Sequence, residues 1–166
     1  FDIVSGELLA ILPLGPLQRN RVAATSAVGI KHLARQDAQT LGLIGSGFQA
    51  EGQVQAAALV RPLKRVKVFS PNPDHRKEFV GKMEKAIGVE ITAVDSPEKV
   101  FHGADIVLSA TTSMMPVFNA KGIEQGTHLG SINVVETDPA SFQRSDVVVV
   151  NVRPFGGEGE LVRDFV

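Results

Sequence analysis

Three short stretches of the chain carry residue types suited to chemistry. Gly45, Gly47 and Ala50 form a G-x-G-x-x-A pattern within LGLIGSGFQAEGQ (41–53). The spacing meets a definite physical need. The first glycine permits a sharp turn out of a strand, the second lets a pyrophosphate approach the backbone, and the small third residue keeps the next helix close to the sheet. The free N–H groups and positive end of that helix then face the phosphates. In VKVFSPNPDHR (66–76), Ser70 and Asn72 stand where a carboxylate would take the adenosine ribose hydroxyls of NAD. A carboxylate there would repel a 2'-phosphate, so its absence favours NADP over NAD. His75 and Arg76 are candidates to approach that phosphate, with a solvated helix charge as the alternative for Arg76. In ATTS (110–113), Thr111, Thr112 and Ser113 either touch the ribose or nicotinamide, or bond their own backbone. The histidines, at 32, 75, 102 and 128, lack metal-ligand spacing, and no metal is expected. His128 reads as structural, with a proton donor as the sharper alternative. Met114 and Met115 read as core or as lining of the cleft.

Alternating strands and helices must position these residues. TLGLIG (40–45) is an apolar strand ending in the turn, and 49–60 is helical until Pro62. Strand 65–69, helix 72–85 and strand 89–94 follow. Ser96-Pro97-Glu98 starts a short helix ending near Gly103. Residues 104–111, 127–132 and 146–151 supply three more strands, with a short helix beginning near Asp138-Pro139. Upstream, RVAATSAVGIKHLAR (21–35) reads as a helix with a small-residue packing face. FDIVSGELLAIL (1–12) reads as a hairpin about Ser5-Gly6, cut off by a break at Pro13, Gly15 and Pro16. Strands apolar on both faces and alternating with helices give an α/β class: a doubly wound, mainly parallel sheet covered on both sides.

With 166 residues, 43% of them hydrophobic, the chain can bury one substantial core. Seventeen Lys and Arg against 18 Asp and Glu leave a net charge of -1. That balance gives no electrostatic case for nucleic acid or an anionic membrane and leaves a small molecule as the expected partner. The absence of cysteine excludes disulfides and thiolate chemistry, and suits a cytoplasmic location. No apolar run approaches the roughly 20 residues of a membrane helix. The opening at Phe1 within a hairpin and the GGEG junction at 156–159 read as parts of something longer.

RVAATSAVGIKHLAR, TLGLIGSGFQAEGQ, VKVFSPNPDHRKEF, ADIVLSATTS with PVF, and GTH before a strand together resemble the ornithine cyclodeaminase/mu-crystallin family over nearly the whole chain. The resemblance implies a two-domain, dimeric protein with a Rossmann domain set between parts of a substrate and dimerisation domain. It also implies hydride exchange between a nicotinamide and the α-carbon of an amino or imino acid. Residues 1–20 would then be a hairpin remnant of the substrate domain, 21–152 the NAD(P)-binding domain, and 153–166 a crossing back. The homodimer contacts would lie mostly outside this chain, and the isolated chain would bind cofactor without efficient turnover.

The same resemblance implies roles for single residues. Arg21 matches the arginine that clamps the substrate carboxylate, as a planar bidentate donor can. Val22 replaces a threonine that helps hold the cofactor phosphate. Ser46, Phe48 and Gln49 fit the cofactor loop, Ser46 offering an N–H and a hydroxyl. Ser70 and Asn72 match positions that meet the 2'-phosphate, although Pro71 stands where that branch commonly has arginine. GTHLGSINVVETDPASF (126–142) is about five residues shorter than the family's loop, whose aspartate is the cyclodeaminase acid/base. No catalytic residue is therefore assigned. Asn133 is the nearest polar residue to the missing acid, Glu136 and Asp138 match a later Glu-Leu-Asp, and Asp138 before Pro139 reads as a helix cap. A non-catalytic, NADP-binding mu-crystallin-like protein is the alternative reading.

Overall fold

The computed structural model describes residues 1–150. Its centre is a five-stranded sheet of β1 (Thr40–Ile44), β2 (Arg65–Phe69), β3 (Glu90–Ala93), β4 (Ile106–Ser109) and β5 (His128–Ser131). All four pairings are parallel, in the order β3-β2-β1-β4-β5. The helices are α1 (Leu14–Leu33), α2 (Phe48–Val60), α3 (Pro73–Ile87), α4 (Pro97–Phe101) and α5 (Pro139–Gln143).

The two-residue period of a strand divides the core in two. Leu41, Leu43, Val66, Val68, Ile106 and Leu108 join Ile30 of α1, Ala50 and Val54 of α2, and Phe79 and Met83 of α3 in one cluster. Ile44 and Val107 join Val100 and Phe101 of α4, with Phe118, in the other. Both sheet faces are thus covered, as the apolar strands require. Gly42 explains how closely α4 approaches: a Cβ there would stand 2.6 Å from the Val100 carbonyl oxygen. Gly52 does the same for α1 and α2, since a Cβ would stand 3.2 Å from that of Ala23.

Three expectations change. The N-terminal hairpin forms no strands. The Asp2 carboxylate accepts the N–H groups of Val4 and Ser5, and one Asp2–Glu7 backbone bond closes the turn. Two short strands without a third are marginal in water, and Ile3, Val4, Leu9 and Ile11 stay exposed. Helix α1 begins at Leu14, seven residues before Arg21, because Gly15 and Pro16 fall in its first turn, where proline lacks no needed donor. The valines at 147–150 find no ladder partner beside β5 and form no strand. The remainder of that expected strand, and the crossing at 153–166, lie outside the described residues.

Candidate functional site: the glycine turn and the carboxyl ends of the strands

Parallel register brings the chemistry to one edge. Ile44 is aligned with Phe69 and with Ser109, and Ser109 with Ser131. The turns after β1, β2, β4 and β5 therefore emerge together, at the point where chain order reverses between β1 and β4. Such a crevice is where doubly wound sheets bind ligands.

Gly45 adopts φ 113°, a region side chains disfavour, and donates its N–H to the Phe69 carbonyl at 2.8 Å. Gly47 has nothing within 4 Å of where its Cβ would be. Helix α2 starts at this open position without a side-chain cap. Its first-turn N–H groups are thus presented to whatever occupies the space. The caps of α3 and α5 show the contrast: Asn72 accepts from Asp74 and His75, and Asp138 accepts from Ala140. An anionic group with a flat backbone approach, such as a pyrophosphate, fits the uncapped end.

Ser46 is half-buried, Phe48 is exposed, and Ala50 is fully buried against the sheet. Gln49 keeps its Oε1 buried and unpartnered. Arg19 carries no local sequence signal: its guanidinium lies 4.6 Å over the Phe48 ring and its Nη1 pairs with Glu51 at 3.2 Å. Lys82 pairs with the other oxygen of Glu51. Arg21, the expected carboxylate clamp, is exposed on α1, and its guanidinium has no partner among the described residues. A cleft of about 240 Å³ between α2 and α3 joins Ser46 and Gly47 to His75, Glu78, Phe79 and Lys82. A cavity of about 540 Å³ beside α4, lined by Phe101, Phe118 and Lys121 among others, shares no residue with the glycine turn.

Beyond β2, Ser70 is buried and its carbonyl accepts from Arg76 Nη1 at 2.9 Å, with the same guanidinium 5.4 Å over the Phe69 ring. His75, not Arg76, lines the cleft beside Gly47. The Asn72 oxygen is engaged in capping, which leaves its amide N–H₂ outward. Beyond β4, Thr111 is half-buried, and Thr112, Met114 and Met115 are exposed; the methionines therefore do not fill the core.

Sequence reasoning passed over Glu136 as a site residue. It is 0% exposed and accepts from Ser109 Oγ (2.8 Å), the Thr111 N–H (2.7 Å) and the Thr111 hydroxyl, and it lies 3.0 Å from Ser131 Oγ, whose one proton also faces the Asn133 carbonyl at 2.6 Å. Asn133 caps a short 3-10 turn over 134–136 through a weak contact with the Val135 N–H. His128 opens β5 opposite Ile106, at the amino ends of the strands and so away from the crevice. Burial, and then the charge of Arg61, push its pKa down to about 4. That position and that neutral ring make it structural. Asp105, at the same end, is held below the usual carboxylate range: burial opposes this, but the Gln39 and Thr40 N–H groups and Arg35 outweigh it. No group of three metal-ligating side chains occurs among the described residues, nor does a helix long and apolar enough to cross a membrane.

Comparison with known proteins agrees with this geometry. The chain is 32% identical over 146 residues to an uncharacterized cyclodeaminase of Sinorhizobium fredii, covering 85% of the chain and 44% of that protein. In structure it is similar to the Thermococcus litoralis Delta(1)-pyrroline-2-carboxylate reductase in complex with NADH and L-proline. That match has a TM-score of 0.82 and 34% identity, over 85% of this chain and 45% of that one. It is also similar to the iminosuccinate reductase of Paracoccus denitrificans in complex with NAD+, with a TM-score of 0.70 and 32% identity, over 80% and 42%. The chain thus spans less than half the length of these relatives. The family model of the ornithine cyclodeaminase/mu-crystallin family matches residues 1–152, so the chain belongs to that family.

Proposed function

We propose that this chain is the nicotinamide dinucleotide-binding part of an oxidoreductase that acts on an amino acid or cyclic imino acid. The observation that carries the reading is the uncapped start of α2, fronted by the open face of Gly47 and set by the forced turn at Gly45. The relatives solved with NADH or NAD+ share this fold at 32–34% identity, which supports a dinucleotide here.

The roles follow from position. The N–H groups after Gly45, with Ser46, Gly47, Phe48, Gln49 and Ala50, hold the pyrophosphate, and Arg19 adds positive charge beside it. Thr111 and Thr112 border the nicotinamide half. When bound, the nicotinamide supplies the hydride donor or acceptor for the substrate's α-carbon. Arg21, unpaired and exposed, is free to meet the substrate carboxylate. The cofactor is NADP in preference to NAD, because the end of β2 presents Ser70 and Asn72 in place of a carboxylate and Arg76 is anchored there. The substrate side chain would be read by the rest of a homodimeric whole protein, and this chain alone would bind cofactor without efficient turnover.

One observation favours a second reading, a non-catalytic cofactor-binding protein of the mu-crystallin kind. After β5, Asn133 carries an amide in place of an acid, and Glu136 is fully buried and held by the Ser109 and Thr111 donors, so neither presents a carboxyl group to a ligand. Nicotinamide absorbance, followed with Δ1-pyrroline-2-carboxylate, proline, ornithine and alanine, separates the two. Turnover by the whole protein supports the oxidoreductase. Tight NADPH binding without turnover of any of the four favours the second reading.

A further inference from the structure

Glu136 carries an observation that the proposed reaction does not use. A carboxylate at 0% exposure, without a cationic partner among the described residues, must offset its lost hydration through hydrogen bonds. Its donors come from β4 (Ser109) and the turn after β4 (Thr111), and Ser131 of β5 lies within 3.0 Å of the same carboxyl group. Its own backbone is fixed as well, since its carbonyl accepts the Val117 N–H at 3.0 Å and Thr137 bridges Phe118. One side chain thus ties together the segments that form the far wall of the crevice.

The hydrogen-bond polarity then follows. Thr111 Oγ1 accepts the Ser113 N–H at 3.0 Å, so its proton goes to Glu136. The Thr111 hydroxyl has no proton left for a ligand. Thr112, next along the turn, is exposed, and its hydroxyl has no protein partner among the described residues. We propose that Glu136 is a positioning residue, holding the turn after β4 so that Thr112 and the turn backbone meet the nicotinamide half of the dinucleotide. This rests on the dinucleotide reading above. Glu136 itself lies behind Thr111 and contacts no ligand.

The two halves of the cofactor provide the test. ADP-ribose carries the adenosine, the pyrophosphate and the second ribose but no nicotinamide ring, so it depends mainly on α2 and β2 and lacks the ring's contacts with the turn after β4. Kd values for NADPH, NADH and ADP-ribose are measured by fluorescence and calorimetry on the whole protein and on Glu136→Ala, Glu136→Gln and Thr111→Val. Glutamine can turn its oxygen to both Thr111 donors and its N–H₂ to the serine oxygens, so it rescues. The expected pattern for Glu136→Ala is about tenfold weaker binding of NADPH and NADH with ADP-ribose within about twofold, and near-native values for Glu136→Gln. Should Glu136→Ala fail to fold, Thr111→Val, which loses only the hydroxyl, is expected to show the same split at about threefold to tenfold. Equal losses of all three ligands in a folded variant, unchanged nicotinamide binding, or failure of glutamine to rescue would overturn the proposal. If the native protein binds none of the three ligands, the dinucleotide reading itself fails, a distinct result.

Discussion

The α-carbon of Gly45 lies so close to the backbone of Ala110 that a methyl group placed on it would stand 2.3 Å from the Ala110 carbonyl oxygen. That carbonyl belongs to the turn after β4 and is held on both sides: the Ala110 N–H donates to the Ile44 carbonyl at 2.9 Å, and the Thr111 N–H of the carbonyl's own peptide donates to Glu136 at 2.7 Å. Gly45→Ala also meets the penalty of φ 113°. The variant is expected to lose at least about 3 kcal/mol in urea unfolding.

Gly47 separates fold from ligand. Its φ of -89° suits any residue, and a Cβ would meet no protein atom within 4 Å. Gly47→Ala should therefore keep its Tm within about 2 °C, while NADPH affinity falls about tenfold because the methyl fills the approach to the α2 N–H groups. A large loss of Tm, or native affinity, contradicts this assignment of the open space.

Arg61 offers a test of how α1 is held. The side chain is buried and donates to five carbonyls, those of Ile30, Lys31, Ala34, Arg35 and Val60, at 2.7–3.1 Å. It thereby caps the carboxyl end of α1 with a full positive charge. Arg61→Leu should cost about 3 kcal/mol in denaturant unfolding, since several buried acceptors lose their donor together. Arg61→Lys should recover only part, because one ammonium cannot span the five.

These residues also show what a sequence can disclose. Strand β1 was readable because a buried parallel strand is an apolar run bounded by turn residues, and Arg65–Phe69 because the buried Val66 and Val68 alternate with Arg65 and Lys67. The glycine turn was readable because its constraint is local. Arg19 and Glu136 were not, since a charge on a helix or loop looks solvated until its partners are known. Those of Glu136 stand 5 to 27 residues away in three segments. The start of α1 was missed for a different reason: proline breaks a helix interior but is accepted in a first turn, and only the capping geometry distinguishes the two.

The proposed preference for NADP rests on the end of β2. Asn72 caps α3 through its side-chain oxygen, a role aspartate fills equally well. Asn72→Asp should therefore leave stability unchanged while placing a carboxylate where a 2'-phosphate would lie. The NADPH-to-NADH affinity ratio should fall about tenfold, and Arg76→Ala should lower it in the same direction. Ratios unchanged in both variants would refute the preference for NADP.

The acid limb of stability should trace to His128. Its ring lies near Gly29 of α1, in the field of Arg61, and its folded pKa of about 4 is below the free value of 6.5. Between these values the unfolded chain binds the proton and the folded chain does not. Stability therefore rises with pH across this window and is lost as pH falls from 6.5 toward 4, by about 3 kcal/mol in full. Urea midpoints at pH 7.0, 5.5 and 4.5 measure it while staying above the range where Asp105, held low by its backbone donors, gains a proton. His128→Asn should flatten the slope over that range. Arg61→Leu should also make it shallower, because removing the nearby charge raises the folded pKa toward the free value. A His128→Asn variant that keeps the native slope would assign the acid sensitivity to another group.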